Sequence, residues 1–475
     1  MKEKLKIVVI GCGRFSQFFV PLFKAHPVTE KVYVCDLKKD REEEFSKRFG
    51  VDRFESFEAA LASKDVNAVA IFTPREMHGK MVIQALKAGK HVYSAVPCAV
   101  DVDEIIEIEK LVRETRLTYS MGETGFYRAP AIYCREEFKK GTFGKFVYAE
   151  AQYNHDIRNM ENSFRSSGGE DWKRFAGVPP FFYPTHSTSM VLSTMPGVYA
   201  KKVSGMGFAG SPRTDIYGKD GQNNYDNPFA CETMLMELSN GGIVRISENR
   251  CIGWMSPETY ITQYYGSEGG YEFSVAHHHQ AVWDPARPGQ VIMKDVSKQL
   301  QPASIYNMMK ADYDDAIQKI ADTAGFDETS PIQPTARIPK EFAGIPNKHN
   351  GTHHFLIDDF CRAYETGKLS PTNIWAVARY NLPGLVAHQS ALKGGVLMDV
   401  PDLGDPPADW EVLDYRTHTC LIKSAHKSTS KLCHPLGIVT ERARTDHGTS
   451  LSRVDVKHRR IVHIASECTE DSAES

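Results

Sequence analysis

Four consecutive β-branched residues ending in a glycine turn constrain the fold of this chain more than any other feature. Ile7, Val8, Val9 and Ile10 read as a strand buried on both faces, and Gly11-Cys12-Gly13 follows at once, then a helix-like segment at 15–25. A strand, a glycine-rich turn and a helix start bring bare backbone N–H groups to a phosphate. Gly11 permits the tight turn, and Gly13 admits a pyrophosphate where a Cβ would block it. Arg14 and Phe15 complete the turn, and Ser16 takes the third small position, giving G-x-G-x-x-S. A second strand, 31–35, ends in Asp36, near the spacing at which an acidic residue meets a ribose 2′-hydroxyl. Its charge would repel a 2′-phosphate, so the expected cofactor is NAD rather than NADP.

Strand and helix alternate as far as residue 121. Strands are expected at 68–72, 91–94 and 118–121, and helices at 38–48, 54–62, 77–87 and 102–115. Short connections and strict alternation predict an α/β architecture: an N-terminal Rossmann, doubly wound parallel sheet with its ligand at the carboxyl ends of the strands. Thr73, Pro74, His78, Ser94, Val96 and Pro97 fall at or just past those ends and are expected to line the cofactor site, with Glu123 close behind. The texture then changes. Alternating strands at 146–153, 201–207, 232–238, 242–249 and 258–265, with turns such as Ser239-Asn240-Gly241-Gly242, predict a C-terminal α+β domain with a large, mainly antiparallel open sheet. Helices are expected at 129–140, 188–193 and 354–367, with a helix pair at 373–395. Residues 274–345, rich in Pro, Gln and Asp, read as insertion and loop. From 416 onward the chain is polar and aperiodic, so a disordered tail is expected, with at most a short strand at 454–463. The expected organisation is a cofactor domain at 1–125, a substrate domain at 126–410 and a tail at 411–475.

With 475 residues, two or more domains are expected. A net charge of −3 gives no electrostatic case for nucleic acid or a membrane surface as partner, and no run is long and apolar enough to span a bilayer. The first strand begins almost at Met1, which leaves no room for a signal peptide. Ten cysteines lack C-x-x-C or zinc spacing, so a reduced, cytoplasmic location is expected. His354 and Asp358 stand four apart on a helix, but no third ligand accompanies them and no metal is expected.

Three clusters fall where a substrate would meet a nicotinamide. In Tyr183-Pro184-Thr185-His186 a phenol and an imidazole share one face of a first helical turn, suited to proton acceptance. Tyr153-Asn154-His155-Asp156-Ile157-Arg158 ends a strand, and Glu123 follows the last Rossmann strand. The expected catalytic set is His186 or Tyr183 as proton acceptor, with Tyr153 and Glu123 positioning substrate or relaying protons.

Together these residues resemble the glucose–fructose oxidoreductase / inositol dehydrogenase / MocA (Gfo/Idh/MocA) family over roughly residues 4–405. The resemblance rests on Gly11-Cys12-Gly13-Arg14, Asp36, Thr73-Pro74 with His78, Gly89-Lys90-His91-Val92, Pro97 and Gly141-Thr142-Phe143-Gly144. It implies tightly held NAD(P), hydride transfer at a hydroxyl-bearing carbon of a sugar or polyol, and a homo-oligomer formed through the C-terminal sheet. One departure stands out. The family's Glu-Lys-Pro is here Ala95-Val96-Pro97, and Val96 cannot move a proton. Val96-Pro97, Glu123, the Tyr153–Arg158 run and Tyr183-Pro184-Thr185-His186 are instead similar to the family's NAD-dependent glycosidase branch. That similarity implies an alternative: redox-neutral cleavage of a glycoside by oxidation, elimination, water addition and re-reduction. The missing lysine also leaves open a catalytically silent, NAD-bound sensor.

Overall fold

The computed structural model describes residues 3–417 and 420–421, except 219–220, 254–258, 275–276, 288 and 302–328. β1 (Leu5–Ile10), β2 (Thr29–Cys35), β3 (Asp52–Arg53), β4 (Ala68–Ile71), β5 (His91–Ser94) and β6 (Tyr119–Met121) form an all-parallel sheet in the order β3-β2-β1-β4-β5-β6. This is the doubly wound Rossmann order, and the strand direction of travel reverses between β1 and β4. The central strands are apolar throughout because both faces are covered: Ile7, Val8, Val9, Ala68, Val69 and Ala70 are fully buried. One cover comes from far along the chain. Phe355 and Phe360 of the helix His353–Thr366 join Leu5, Ile7, Val9 and Phe23 in a single core cluster.

A second, nine-stranded sheet is built from β7 (Phe146–Asn154), β8 (Ala200–Phe208), β9 (Cys231–Leu238), β10 (Ile243–Asn249), β11 (Tyr260–Gly266), β12 (Gly269–Ser274), β13 (His277–Trp283), β14 (Val291–Asp295) and β15 (Met398–Asp399). Its order is β14-β13-β12-β11-β7-β10-β9-β8-β15. Every pairing is antiparallel except β7 with β10, where Tyr153 stands opposite Glu248 and Asn154 opposite Asn249. The helices Thr185–Leu192 and Ile374–Leu392 share a core with the inward residues Ala149, Ala151, Met234, Met236, Val244 and Ile246. The expected α/β class, Rossmann sheet and large mainly antiparallel sheet are all present.

Four local expectations are corrected. The segment after the glycine turn is a 3-10 turn, Ser16–Phe18, and then a short helix, Val20–Ala25, because Pro21 lacks the N–H that would join them. Residues 277–295, expected as loop, supply β13 and β14. β14 is the edge strand and is largely exposed, and in β13 the buried positions are the polar His278 and Gln280, so neither strand shows the apolar alternation of a half-buried strand. The helix pair expected at 373–395 is one helix, Ile374–Leu392, running through Pro383. Finally, β16 (Val412–Leu413) pairs with β17 (Cys420–Leu421) beyond the boundary expected at 410. The strand expected at 454–463 lies outside the described residues.

Candidate active site

Glu123 follows β6 by two residues and starts the 3-10 turn Thr124–Tyr127, where its Oε1 accepts the Gly125 N–H at 2.6 Å. The carboxylate is wholly buried. His186 stands in the first turn of the helix Thr185–Leu192 and places Nδ1 2.8 Å from Glu123 Oε1. Gly125 makes this approach possible, since a Cβ there would sit 2.5 Å from the His186 carbonyl oxygen. Burial works to raise the Glu123 pKa, but His186, Thr185 and the Gly125 N–H together hold it below the ordinary carboxylate range. In the tautomer whose Nδ1–H donates to Glu123, Nε2 keeps its lone pair. That nitrogen lies 3.0 Å from the Tyr183 hydroxyl, which donates to it. Glu123, His186 and Tyr183 thus form one hydrogen-bonded chain in which each member orients the next.

Tyr153 closes the cluster. Its ring meets His186 edge-on, with centroids 5.1 Å apart, and stacks on Tyr260 at 4.7 Å. Its hydroxyl hydrogen-bonds His155 Nδ1. Burial, followed by Arg250, His186 and Arg75, pushes the His155 pKa down to about 3, so this imidazole is neutral at physiological pH. Asp156, next to it, turns elsewhere: it caps the helix Ile157–Gly168 and binds Arg158 at 2.8 Å.

On the cofactor side, Gly11 has a φ of +96° and a Cβ there would lie 2.7 Å from the Phe72 carbonyl oxygen, whereas Gly13 faces open space. Asp36 is anchored beneath the turn, accepting the Cys12 and Lys38 N–H groups at 2.7 Å each. Ser16 donates to the Gly13 carbonyl at 3.1 Å, Arg14 is exposed and Phe15 is half-buried. An open glycine turn above a fixed carboxylate fits a dinucleotide with a free ribose 2′-hydroxyl. Thr73 and Pro74 lie just after β4 and are accessible, while Val96 and Pro97 are buried beyond β5. Ser94 is buried and bonded to the Tyr119 hydroxyl at 2.9 Å. His78 is buried too, its ring nitrogens 2.8 and 2.9 Å from the Pro97 and Thr73 carbonyls. Its ring thereby joins the Thr73 and Pro97 loops.

Several neighbours of the cluster lie outside the expected set. Glu248 and Arg250, at and just after the end of β10, are buried, and Arg250 donates to Glu248 Oε2 at 3.0 Å. Ser187 donates to the other Glu248 oxygen. Glu248 was detectable: β10 alternates, and Val244, Ile246 and Glu248 fall on its inward side. His349 has its ring edge-on to Phe15 at 5.6 Å and Nδ1 2.8 Å from His353 Nε2. His349 and Asn350 both adopt left-handed backbone, φ 57° and 55°, which suits His and Asn better than bulkier residues. His354 and Asp358 do not share a ligand: His354 Nε2 lies 3.0 Å from the Ile345 carbonyl, and Asp358 binds His26 and Arg337. Among the described residues no group of three or more His, Cys, Asp or Glu is placed to hold a metal, and no helix is long and apolar enough to cross a membrane.

Buried imidazoles make an acid-lability prediction. Burial pushes His155 and His349 down to about 3 and His278 and His354 down to about 4. In the unfolded chain the same groups titrate near pH 6.5. Between those values the unfolded state binds more protons, so the stability they carry is complete above pH 6.5 and is lost as pH falls. Glu248, pushed by burial up to about 8, works in the opposite sense but with one proton against four. Calorimetry at pH 7.5 and 5.5 is expected to show stability falling by roughly 1 kcal/mol per imidazole, with net proton uptake on unfolding at the lower pH.

Comparison with known proteins agrees with this fold. Residues 5–123 match the model of an oxidoreductase family described as an NAD-binding Rossmann fold. A glycosyl hydrolase family 109 protein of Solibacter usitatus is 28% identical over 205 residues, covering 40% of this chain and 46% of that protein. A second, of Streptomyces filamentosus, is 20% identical over 427 residues, covering 84% of this chain and 78% of the relative. The first relatives are thus matched over about half their length. Among solved structures, levoglucosan dehydrogenase in complex with NADH and levoglucosan superposes with a TM-score of 0.63 at 17% identity, over 84% of this chain and all of that one. Myo-inositol 2-dehydrogenase from Lactobacillus plantarum gives 0.58 at 16% identity, over 84% of this chain and all of that one. Both resemblances drawn from the sequence, to the Gfo/Idh/MocA family and to its glycosidase branch, are borne out.

Proposed function

We propose that this chain is an NAD-dependent oxidoreductase acting at a hydroxyl-bearing carbon of a sugar, polyol or glycoside. The observation that carries the reading is the Glu123–His186–Tyr183 chain, assembled where the last Rossmann strand meets the second sheet. Held as an acceptor by Glu123, His186 takes a proton through Tyr183 from a substrate hydroxyl, and Glu123 stabilises the imidazolium that forms. This supplies the proton acceptor that Ala95-Val96-Pro97 cannot. Bound NAD supplies a two-electron acceptor. Gly11 and Gly13 would hold its pyrophosphate and Asp36 its ribose. Asp36→Ala is expected to narrow the preference for NAD over NADP by about tenfold, read from the two dissociation constants, because a charge-assisted hydrogen bond and a repulsion are lost together.

Redox-neutral glycoside cleavage is the second reading, and a specific observation favours it. A dehydrogenase needs one proton acceptor, yet Tyr153–His155 forms a second, separate phenol–imidazole pair facing the same space. Elimination needs a base for a C–H and an acid for the leaving oxygen, and two pairs would serve both; the family 109 relatives support the same reading. Incubation with aryl glycosides and free sugars separates the outcomes. Aglycone released without net NADH means cleavage, stoichiometric NADH means dehydrogenation, and absence of both together with absence of bound NAD rejects the proposal. Tyr148, Leu235, Ile243 and Tyr265 on the outward side of the second sheet support its pairing with a second copy of the chain.

A further inference from the structure

We infer that the substrate of this site carries a carboxylate, as a uronic or aldonic acid does, and that Arg75 binds it with Arg250 behind. The inference rests on the reading of the site as a carbohydrate oxidoreductase. Arg75 follows Thr73-Pro74 at the carboxyl end of β4, and its guanidinium lies over the Tyr183 ring, 4.5 Å from the centroid. It is half-buried and makes no ion pair among the described residues. Glu76 beside it takes the Tyr225 hydroxyl at 3.3 Å. Arg250 approaches the same Tyr183 ring at 5.7 Å and the Tyr153 ring at 4.9 Å. It is 3% exposed; one terminal nitrogen binds Glu248, and the other, Nη1, is buried without a hydrogen-bond partner.

The nearby carboxylates face other groups than Arg75. Glu123 serves His186 and Gly125 through Oε1, its Oε2 buried without a hydrogen-bond partner, Glu248 serves Ser187 and Arg250, and Asp156 serves Arg158 and the Ile252 N–H. His155 and His186 add no negative charge. Arg75 therefore has no carboxylate paired with it among the described residues, and Arg250 keeps a buried nitrogen unmatched, in surroundings where unpaired charge and unmade hydrogen bonds are costly. A dinucleotide does not answer it, because the pyrophosphate belongs to the glycine turn and the adenosine ribose to Asp36. The planar guanidinium of Arg75 can take a carboxylate bidentately, and its one charge balances a monoanion where a phosphate dianion would leave a negative charge over.

Calorimetry on the full-length, NAD-loaded protein tests this with D-glucuronate and D-galacturonate against D-glucose, D-galactose and glucose 6-phosphate. The uronates are expected to bind about 10- to 100-fold tighter than the neutral sugars. Arg75→Gln is expected to collapse that ratio toward one, and Arg75→Lys to restore part of it, with melting temperature and NAD content followed for both variants. Equal or tighter binding of the neutral sugars overturns the inference and leaves the oxidoreductase reading standing. Tighter binding of glucose 6-phosphate overturns the choice of carboxylate. Loss of NAD from Arg75→Gln without a change in the ratio reassigns Arg75 to the cofactor and overturns it as well. If NAD-loaded protein neither binds nor converts any of these sugars or their aryl glycosides, the oxidoreductase reading falls and takes this inference with it.

Discussion

His186→Ala lowers turnover by about 10²- to 10⁴-fold, the range expected when a positioned acid–base group is removed. The loss is expected in kcat and kcat/KM together, because the imidazole acts on a proton that moves only as the reaction proceeds. Glu123→Gln should give a smaller loss of the same kind, since it removes the charge that fixes the tautomer while leaving the ring in place. Tyr183→Phe breaks the link between Nε2 and substrate and should approach the His186→Ala value. Non-additivity makes the case distinctive: a double variant, His186→Ala with Tyr183→Phe, should be little worse than either alone if the three groups act as one chain. Because His186 is buried, His186→Gln is the companion that preserves volume. Melting temperature and NAD content separate lost chemistry from lost packing. A turnover unchanged in His186→Ala removes the imidazole from the mechanism.

Gly13→Leu strips the dinucleotide from the protein while leaving its fold intact, and Gly11→Ala does the reverse. The contrast follows from what each missing Cβ would meet. At Gly13 nothing lies within 4 Å, so a side chain is tolerated by the protein and projects where a pyrophosphate must approach. Co-purifying NAD is expected to fall by about tenfold or more, with little change in the melting temperature of the cofactor-free protein. At Gly11 the backbone is left-handed and a Cβ would press on the Phe72 carbonyl at 2.7 Å. Strain of that kind costs about 1–3 kcal/mol, and more where β1 and β4 must separate to relieve it. Absorbance and mass spectra of purified variants read the cofactor, and scanning calorimetry reads the fold. Retention of NAD by Gly13→Leu would place the pyrophosphate elsewhere.

Much of this arrangement was legible from residue patterns, and the reasons are physical. Parallel strands covered on both faces leave continuous apolar runs, so β1 and β4 stand out. Glu123, Tyr183 and His186 were found because each sits at the junction of two recognisable elements. What escaped notice depended on distant contacts. Pro383 reads as a helix break, yet Ile374–Leu392 continues through it, with the adjacent Gly384 packed so closely that a Cβ would lie 2.4 Å from Pro184. Tertiary packing there outweighs a lost backbone bond. Arg75 and Arg250 carry no local signal, because residues far apart in the chain meet at the Tyr183 ring only in the fold. The two carbonyls that His78 meets, those of Thr73 and Pro97, likewise come together only in the fold.

The lone parallel pairing in the second sheet has a practical consequence. With β7 and β10 running side by side in the same direction, Tyr153, His155, Glu248 and Arg250 all emerge at one rim, while the Ser239-Asn240-Gly241-Gly242 hairpin lies at the opposite rim. Lengthening that hairpin, even to carry a fused reporter, leaves the working rim unaltered. Deleting one residue inside β7 would instead turn Tyr153 toward the outside and empty the site from a single position.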